Sequence, residues 1–241
     1  TTGLRMSSFG NSKKLYPFLE PRISYHGVFT KDFSLSASVS RMTQPIHRVA
    51  NSGIGMPLEM FTPSDEKILP ATSWNFSLGM AKELKLNKAS FMFKSDIWYK
   101  SLNNIVEYKD GNDAMLVLIY HTTNDINNLI TQGKGKAYGI DFSVDYTVSK
   151  YKISADYTLM EAKNQFNDLN MGNYFAASTD IRNSIQLTCE MKLSPTWIFS
   201  ASWQYNSGRP ITVPTSIVKS TPDIFNKPAV ENYSFNSIVT E

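Results

Sequence analysis

Charged side chains recur at alternate positions in four stretches: Lys94 and Asp96, Asp141 and Asp145, Lys152 and Asp156, Glu190 and Lys192. Separations of two and four put each pair on one side of an extended chain, because successive strand side chains point to opposite faces. Two chemistries suit such a set. The carboxylates and ammoniums could line a wet path for a polar substrate. They could equally pair across neighbouring strands, which stabilises adjacent strands whatever the protein does, and this plainer reading accounts for the same residues.

A second set lies where patterned segments meet irregular ones. Gln44, His47 and Arg48 open the longest irregular stretch, Trp74 begins the segment that follows it, and Asn173, Tyr174 and Phe175 sit near Gly and Ala. Loops held by a rigid scaffold commonly carry ligand contacts, and Asn173, Tyr174 and Phe175 could stack on a sugar or an aromatic siderophore. The same residues could instead anchor their loops.

Covalent and metal chemistry find no pattern here. Asp110, Asn112 and Asp113 resemble part of a calcium loop but lack glycine at its sixth place and an acid at its twelfth. Ser207-Gly208-Arg209-Pro210 is not a Gly-x-Ser-x-Gly elbow. Cys189 is the single cysteine, and His26, His47 and His121 are far apart, so neither a disulfide nor a zinc set is expected. The expectation is no catalytic residue, no metal and no cofactor.

The elements that must position these residues are strands. Leu35, Ala37 and Val39 alternate with serines; Trp74, Phe76, Leu78 and Met80 alternate with Asn75, Ser77 and Gly79; Phe91, Phe93, Ile97 and Tyr99 oppose Lys94 and Asp96. Ile140, Phe142, Val144, Tyr146 and Val148 alternate with Asp141, Ser143, Asp145 and Thr147, and a short turn leads into Ile153, Ala155, Tyr157 and Leu159. Leu187, Cys189, Met191 and Leu193 then turn through Ser-Pro-Thr into Phe199, Ala201, Trp203 and Tyr205. This is period two throughout. With less regular candidates at Gly3 to Phe9 and Pro21 to Phe29, the pattern predicts about nine strands.

The links alternate in length. Thr30 to Phe33, Leu86 to Lys88, Ser149 to Tyr151 and Ser194 to Thr196 are tight, whereas 45–72, 110–136 and 166–182 are long. An antiparallel up-and-down meander puts all the long loops at one end and all the tight turns at the other, as in barrels of the bacterial outer membrane.

Composition agrees. Aromatics make up 12% while hydrophobic residues reach only 41%, with a mean hydropathy of −0.27, and no run approaches the roughly 18 apolar residues of a spanning helix. The net charge of +3 comes from interspersed signs, which gives nucleic-acid binding no support. Periodicity alone leaves a soluble β-barrel carrier open, since that fold only inverts which face is wet. Two features favour the membrane: aromatics sit near strand ends on the apolar side, and Trp74–Lys85, Ala89–Tyr99, Gly139–Ser149 and Lys152–Lys163 reach the about 9 to 11 residues that a lipid-spanning strand needs.

Several segments resemble the barrel of TonB-dependent outer-membrane receptors of the polysaccharide- and siderophore-type branch. They are Gly3-Leu4-Arg5, Glu20-Pro21-Arg22-Ile23-Ser24, the strand end Ser40 to His47, Gly133 to Asp141, and Tyr205 to Thr212. The resemblance implies a large transmembrane β-barrel of which 1–241 is an incomplete part, without the plug and the energy-coupling box of that family. It implies location in the cell outer membrane, import of a nutrient of siderophore, glycan or peptide class, and no enzymatic step; an outer-membrane enzyme or adhesin is the other alternative. The implied partners are outer-membrane lipid, the TonB complex through regions outside this chain, and a surface lipoprotein. The opening Thr-Thr-Gly-Leu-Arg carries no leader pattern, so a mature or shortened form is expected.

Overall fold

A computed structural model describes residues 1–10, 14–50, 59–109, 126–211, 213–219 and 231–236. Each patterned segment is a strand. In chain order these are β1 (Thr2–Gly10), β2 (Leu15–Thr30), β3 (Phe33–Gln44), β4 (Ile46–Ala50), β5 (Glu59–Pro63), β6 (Ala71–Leu86), β7 (Ala89–Tyr108), β8 (Ile130–Val148), β9 (Tyr151–Phe166), β10 (Phe175–Ala176), β11 (Asn183–Lys192), β12 (Ile198–Asn206), β13 (Val213–Lys219) and β14 (Glu231–Asn236). One sheet runs in the order β1, β2, β3, β6, β7, β8, β9, β11, β12, with β10 added to β9; β4 pairs with β5 and β13 with β14. Every neighbouring pair is antiparallel. The expected all-β meander is therefore the architecture found. The sheet is open, with β1 and β12 at its edges among the described residues.

The tight turns sit together. Asn87-Lys88 and Ser149-Lys150 join strands that pair up to Leu86 with Ala89 and Val148 with Tyr151. Asn87 (φ 50) and Ser149 (φ 45) take the left-handed conformation that lets so short a link follow the twist of its strands. Because the path is an antiparallel meander, the links 45–70, 109–129 and 167–182 all leave from the opposite end.

Register sorts the side chains into two faces. Phe91 opposes Tyr146, Phe93 opposes Val144, Val144 opposes Ala155, Ala155 opposes Leu187, and Leu187 opposes Trp203. Lys94 opposes Ser143, Asp96 opposes Asp141, Asp145 opposes Ser154, and Lys152 opposes Glu190. A slip of one residue in any pair would mix the two sets, and from the tight turns up to Asn103 none occurs across these strands. The predicted segregation holds from β7 to β12.

Three predicted loops are shorter than expected. The stretch 45–72 contains the hairpin β4–β5, and 166–182 gives up Phe166 to β9 and contains β10. The stretch 110–136 loses Ile130–Lys136 to β8, while 110–125, with Asp110, Asn112, Asp113 and His121, lies outside the described residues. Glycines explain the last misreading. A Cβ on Gly133 would come within 2.3 Å of the Gln165 carbonyl, and one on Gly135 within 2.8 Å of Asn164 Oδ1. They are strand positions where β9 comes too close for a side chain, not turn signals.

β7 extends to Tyr108 by way of a bulge: Asn103 opposes Lys134, Ile105 opposes Gly133, and Asn104 (φ 57) is the extra residue. The bulge inverts the alternation, so that Glu107, opposite Thr131, joins the polar side and Tyr108, opposite Ile130, the apolar side. Val49, Ile68, Tyr108 and Ile130 pack there into a buried cluster with Met60 and Val106 against it. The hairpin alternates to match: Val49 and His47 are buried, whereas Phe61 and Arg48 face away. Below this cluster the apolar face has no covering layer among the described residues, with Leu78 and Ile97 each 57% exposed.

Candidate functional site

The polar face of β7, β8 and β9 is a hydrogen-bonded lattice. Its residues are there because charged and hydroxylic side chains occupy alternate strand positions. Lys94 Nζ lies 3.1 Å from Asp145 Oδ2, and the Ser154 hydroxyl donates to Asp145 Oδ1 at 2.6 Å. Asp141 accepts from the Trp98 indole at 2.9 Å and from the Thr158 hydroxyl at 2.6 Å. Asp141 and Asp145 thus each accept two side-chain donors.

Asp96 stands opposite Asp141 and beside Gly79. A Cβ on Gly79 would meet Asp96 Oδ1 at 2.1 Å and Ser36 Oγ at 2.7 Å, so this glycine makes room for the carboxylate. Asp156 faces Ser143 on one side and Gln186 on the other. Lys152 and Glu190 are register partners and border a shallow depression with Ser154, Thr188, Ser200 and Ser202. Lys192 lies at the turn end, opposite Ile198. The eight charged residues singled out by spacing therefore share one face.

Trp98 belongs to this face and is missing from the set inferred by charge. Its position was readable, since it follows Asp96 by two and its partner is Gly139. A Cβ on Gly139 would meet the Trp98 ring at 2.7 Å and the Leu159 carbonyl at 2.7 Å. The indole lies across the space that the glycine leaves.

The loop-end candidates divide. His47 is 4% exposed, and its Nε2 sits 3.1 Å from the Leu69 carbonyl and 3.2 Å from Ser64 Oγ. A carbonyl can only accept, so Nε2 carries the proton; Ser64 Oγ in turn donates to the Pro45 carbonyl at 2.7 Å. Burial lowers the pKa of His47 below 6.5, partly opposed by the bond to Leu69. This imidazole ties β4 to the segment that precedes β6. Gln44 Nε2 donates to the Ile46 carbonyl at 2.8 Å, and Arg48 pairs with Glu59 at 3.5 Å on the hairpin's exposed side.

Trp74 lies on the apolar face and stacks near Phe76 with centroids 6.4 Å apart. Asn173 follows a single 3-10 turn at Asn170–Gly172, and its amide donates to the Asn170 carbonyl at 3.0 Å. The ring of Tyr174 lies 4.5 Å from Lys136 Nζ. The structure groups Gln44, His47 and Arg48 around β4, and Asn173 with Tyr174 beside β8 and β9.

Compared with known proteins, the chain matches the model of the family described as TonB dependent receptor-like, beta-barrel, over residues 1–221. No curated protein and no solved structure matches it.

Proposed function

The chain belongs to the TonB dependent receptor-like β-barrel family, and on that premise we propose that its polar face lines the lumen of an outer-membrane receptor that imports a nutrient. The family is one of outer-membrane receptors and transporters. The observation that supports the finer reading is the two-faced register: apolar side chains from β7 to β12 on one side, and Lys94, Asp96, Asp141, Asp145, Lys152, Asp156, Glu190 and Lys192 on the other. In a membrane barrel the first side meets lipid and the second meets water. The open edges at β1 and β12 call for further strands, because unpaired backbone groups are costly in hydrocarbon.

The nutrient is of siderophore, glycan or peptide class in this proposal. Gln44, Arg48 and Asn173 are the contacts proposed at the loop end, with His47 as an anchor, Tyr174 as the ring over Lys136 and Trp74 as an interfacial aromatic on the lipid side. Energy comes from the TonB complex, and a surface lipoprotein docks on the loops.

Cysteine labelling tests the lumen assignment. In the full receptor carrying Cys189→Ser, Ser143→Cys should react with a charged, water-soluble maleimide, and Val144→Cys only with a lipid-soluble one. Equal reaction of both with the charged reagent would remove the basis for this function.

A further inference from the structure

The apolar face has a sharp upper limit. On β8 the residues of that face run Val148, Tyr146, Val144, Phe142, Ile140, and on β9 they run Tyr151, Ile153, Ala155, Tyr157, Leu159. Each run covers about the 9 residues of a tilted lipid-crossing strand. The next rank is Tyr138 opposite Glu161, the next Lys136 opposite Lys163, and the next Lys134 opposite Gln165. Within two ranks the face changes from hydrocarbon to cations.

These cations are organised. Glu161 accepts from Arg182 at 2.9 Å, pairs with Lys163 at 2.7 Å, and receives the Tyr138 hydroxyl. Lys136 is held over the Tyr174 ring. Glu161 is the single acid among the residues of β8 and β9 on this face, against Lys134, Lys136 and Lys163 on the same strands and Arg182 paired with it. Nearby Asp180 is committed to the Ala162 amide and Asp168 to the Thr131 hydroxyl. Glu161 thus holds Lys163 and Arg182 while Lys136 rests on Tyr174, and the cations of this face outnumber its acid, with the Arg182 side chain 57% exposed.

We infer that Lys134, Lys136, Lys163 and Arg182 form a binding site for the phosphate of a phosphorylated lipid headgroup in the leaflet on the loop side. The inference rests on the reading that the apolar face meets lipid. A tyrosine marks the level of the headgroups, and basic side chains just beyond it lie where lipid phosphates are. Arginine offers a planar fork and lysine a point charge, the combination that suits phosphate. The cluster stands on the opposite side of the sheet from the proposed lumen, so the nutrient is not its occupant.

The full receptor in detergent, titrated with bisphosphorylated lipid A and with its dephosphorylated counterpart and followed by native mass spectrometry, tests this. Wild type should bind the phosphorylated form preferentially. The triple variant Lys136→Gln, Lys163→Gln, Arg182→Gln should bind it more weakly, by about fivefold for each cation and on the order of a hundredfold in all. Lys94→Gln, on the polar face, should bind as wild type does.

Glu161→Gln keeps every cation, removes the single acid and should bind more tightly, by about fivefold; it decides the matter if the triple variant does not fold. Equal binding of both lipids by wild type, undiminished binding by a folded triple variant, or no gain with Glu161→Gln would each overturn the site. The cysteine labels at 143 and 144 report separately on the lipid face: a normal labelling pattern with failed lipid binding sinks the site alone, whereas water-accessible Val144→Cys sinks both.

Discussion

The indole of Trp98 on β7 donates to the carboxylate of Asp141 on β8, and the same carboxylate takes the hydroxyl of Thr158 on β9. Three strands are thereby joined through one side chain. Trp98→Phe keeps an aromatic ring and removes the donor, and should lower stability by at least about 1 kcal/mol, the scale of one hydrogen bond at a wet site. Urea midpoints of the folded receptor in detergent measure it; an unchanged midpoint would mean that water replaces the indole without loss.

Gly139 should tolerate no side chain. Gly139→Val places Cβ against a backbone carbonyl and the Trp98 ring, so assembly should fail even though valine favours strands. Gly208→Ala, with nothing within 4 Å of its added carbon, should assemble as wild type. The heat-modifiable band on a gel distinguishes the two, and a folded Gly139→Val variant would show that β7 and β8 can separate locally.

Arginine scanning of neighbouring positions reads out the lipid side. Val144→Arg puts a cation into hydrocarbon at mid-strand, a cost of about 2–4 kcal/mol, and should impair assembly. Ser143→Arg lands opposite Lys94 and Asp156 on the polar face and should assemble almost normally. Folding of the wild-type receptor as a compact monomer in buffer without detergent would contradict the premise of both.

The docked hairpin should loosen in mild acid. The pKa of His47 is lowered by burial from 6.5, so the unfolded form binds the proton first as pH falls. The stability it contributes is complete above about 6.5 and is lost as pH drops through the lower folded value. Protection factors of residues 46–50 and 59–63, taken relative to intrinsic exchange at each pH, should therefore fall between neutral pH and pH 5, and His47→Gln should flatten that dependence.

Most of the spanning part was legible because every second residue declares its face. Leu187 and Trp203 could be placed on one side from their spacing alone, and their register confirms it. The loop end was not legible, for two physical reasons. Gly133 and Gly135 look like turn residues but are set by the closeness of β9, and β4–β5 is recognisable only once its buried partners Tyr108 and Ile130 are in place. For the candidate site, charge marked Asp141 and Asp145, whereas Trp98 carries no charge and becomes visible through the carboxylate that it serves.

The bulge at Asn104 sets a rule for how this part of the gene can change. Deleting that codon would close the bulge and keep Ile105 opposite Gly133, Glu107 opposite Thr131 and Tyr108 opposite Ile130. Deleting Ile105 as well would move the rest by one place, turning Glu107 toward Val49 and Ile68 and Tyr108 toward the polar side. Loss of one codon between Asn104 and Tyr108 should therefore survive and loss of two should be eliminated, a parity that a library of length variants selected for folded receptor would reveal.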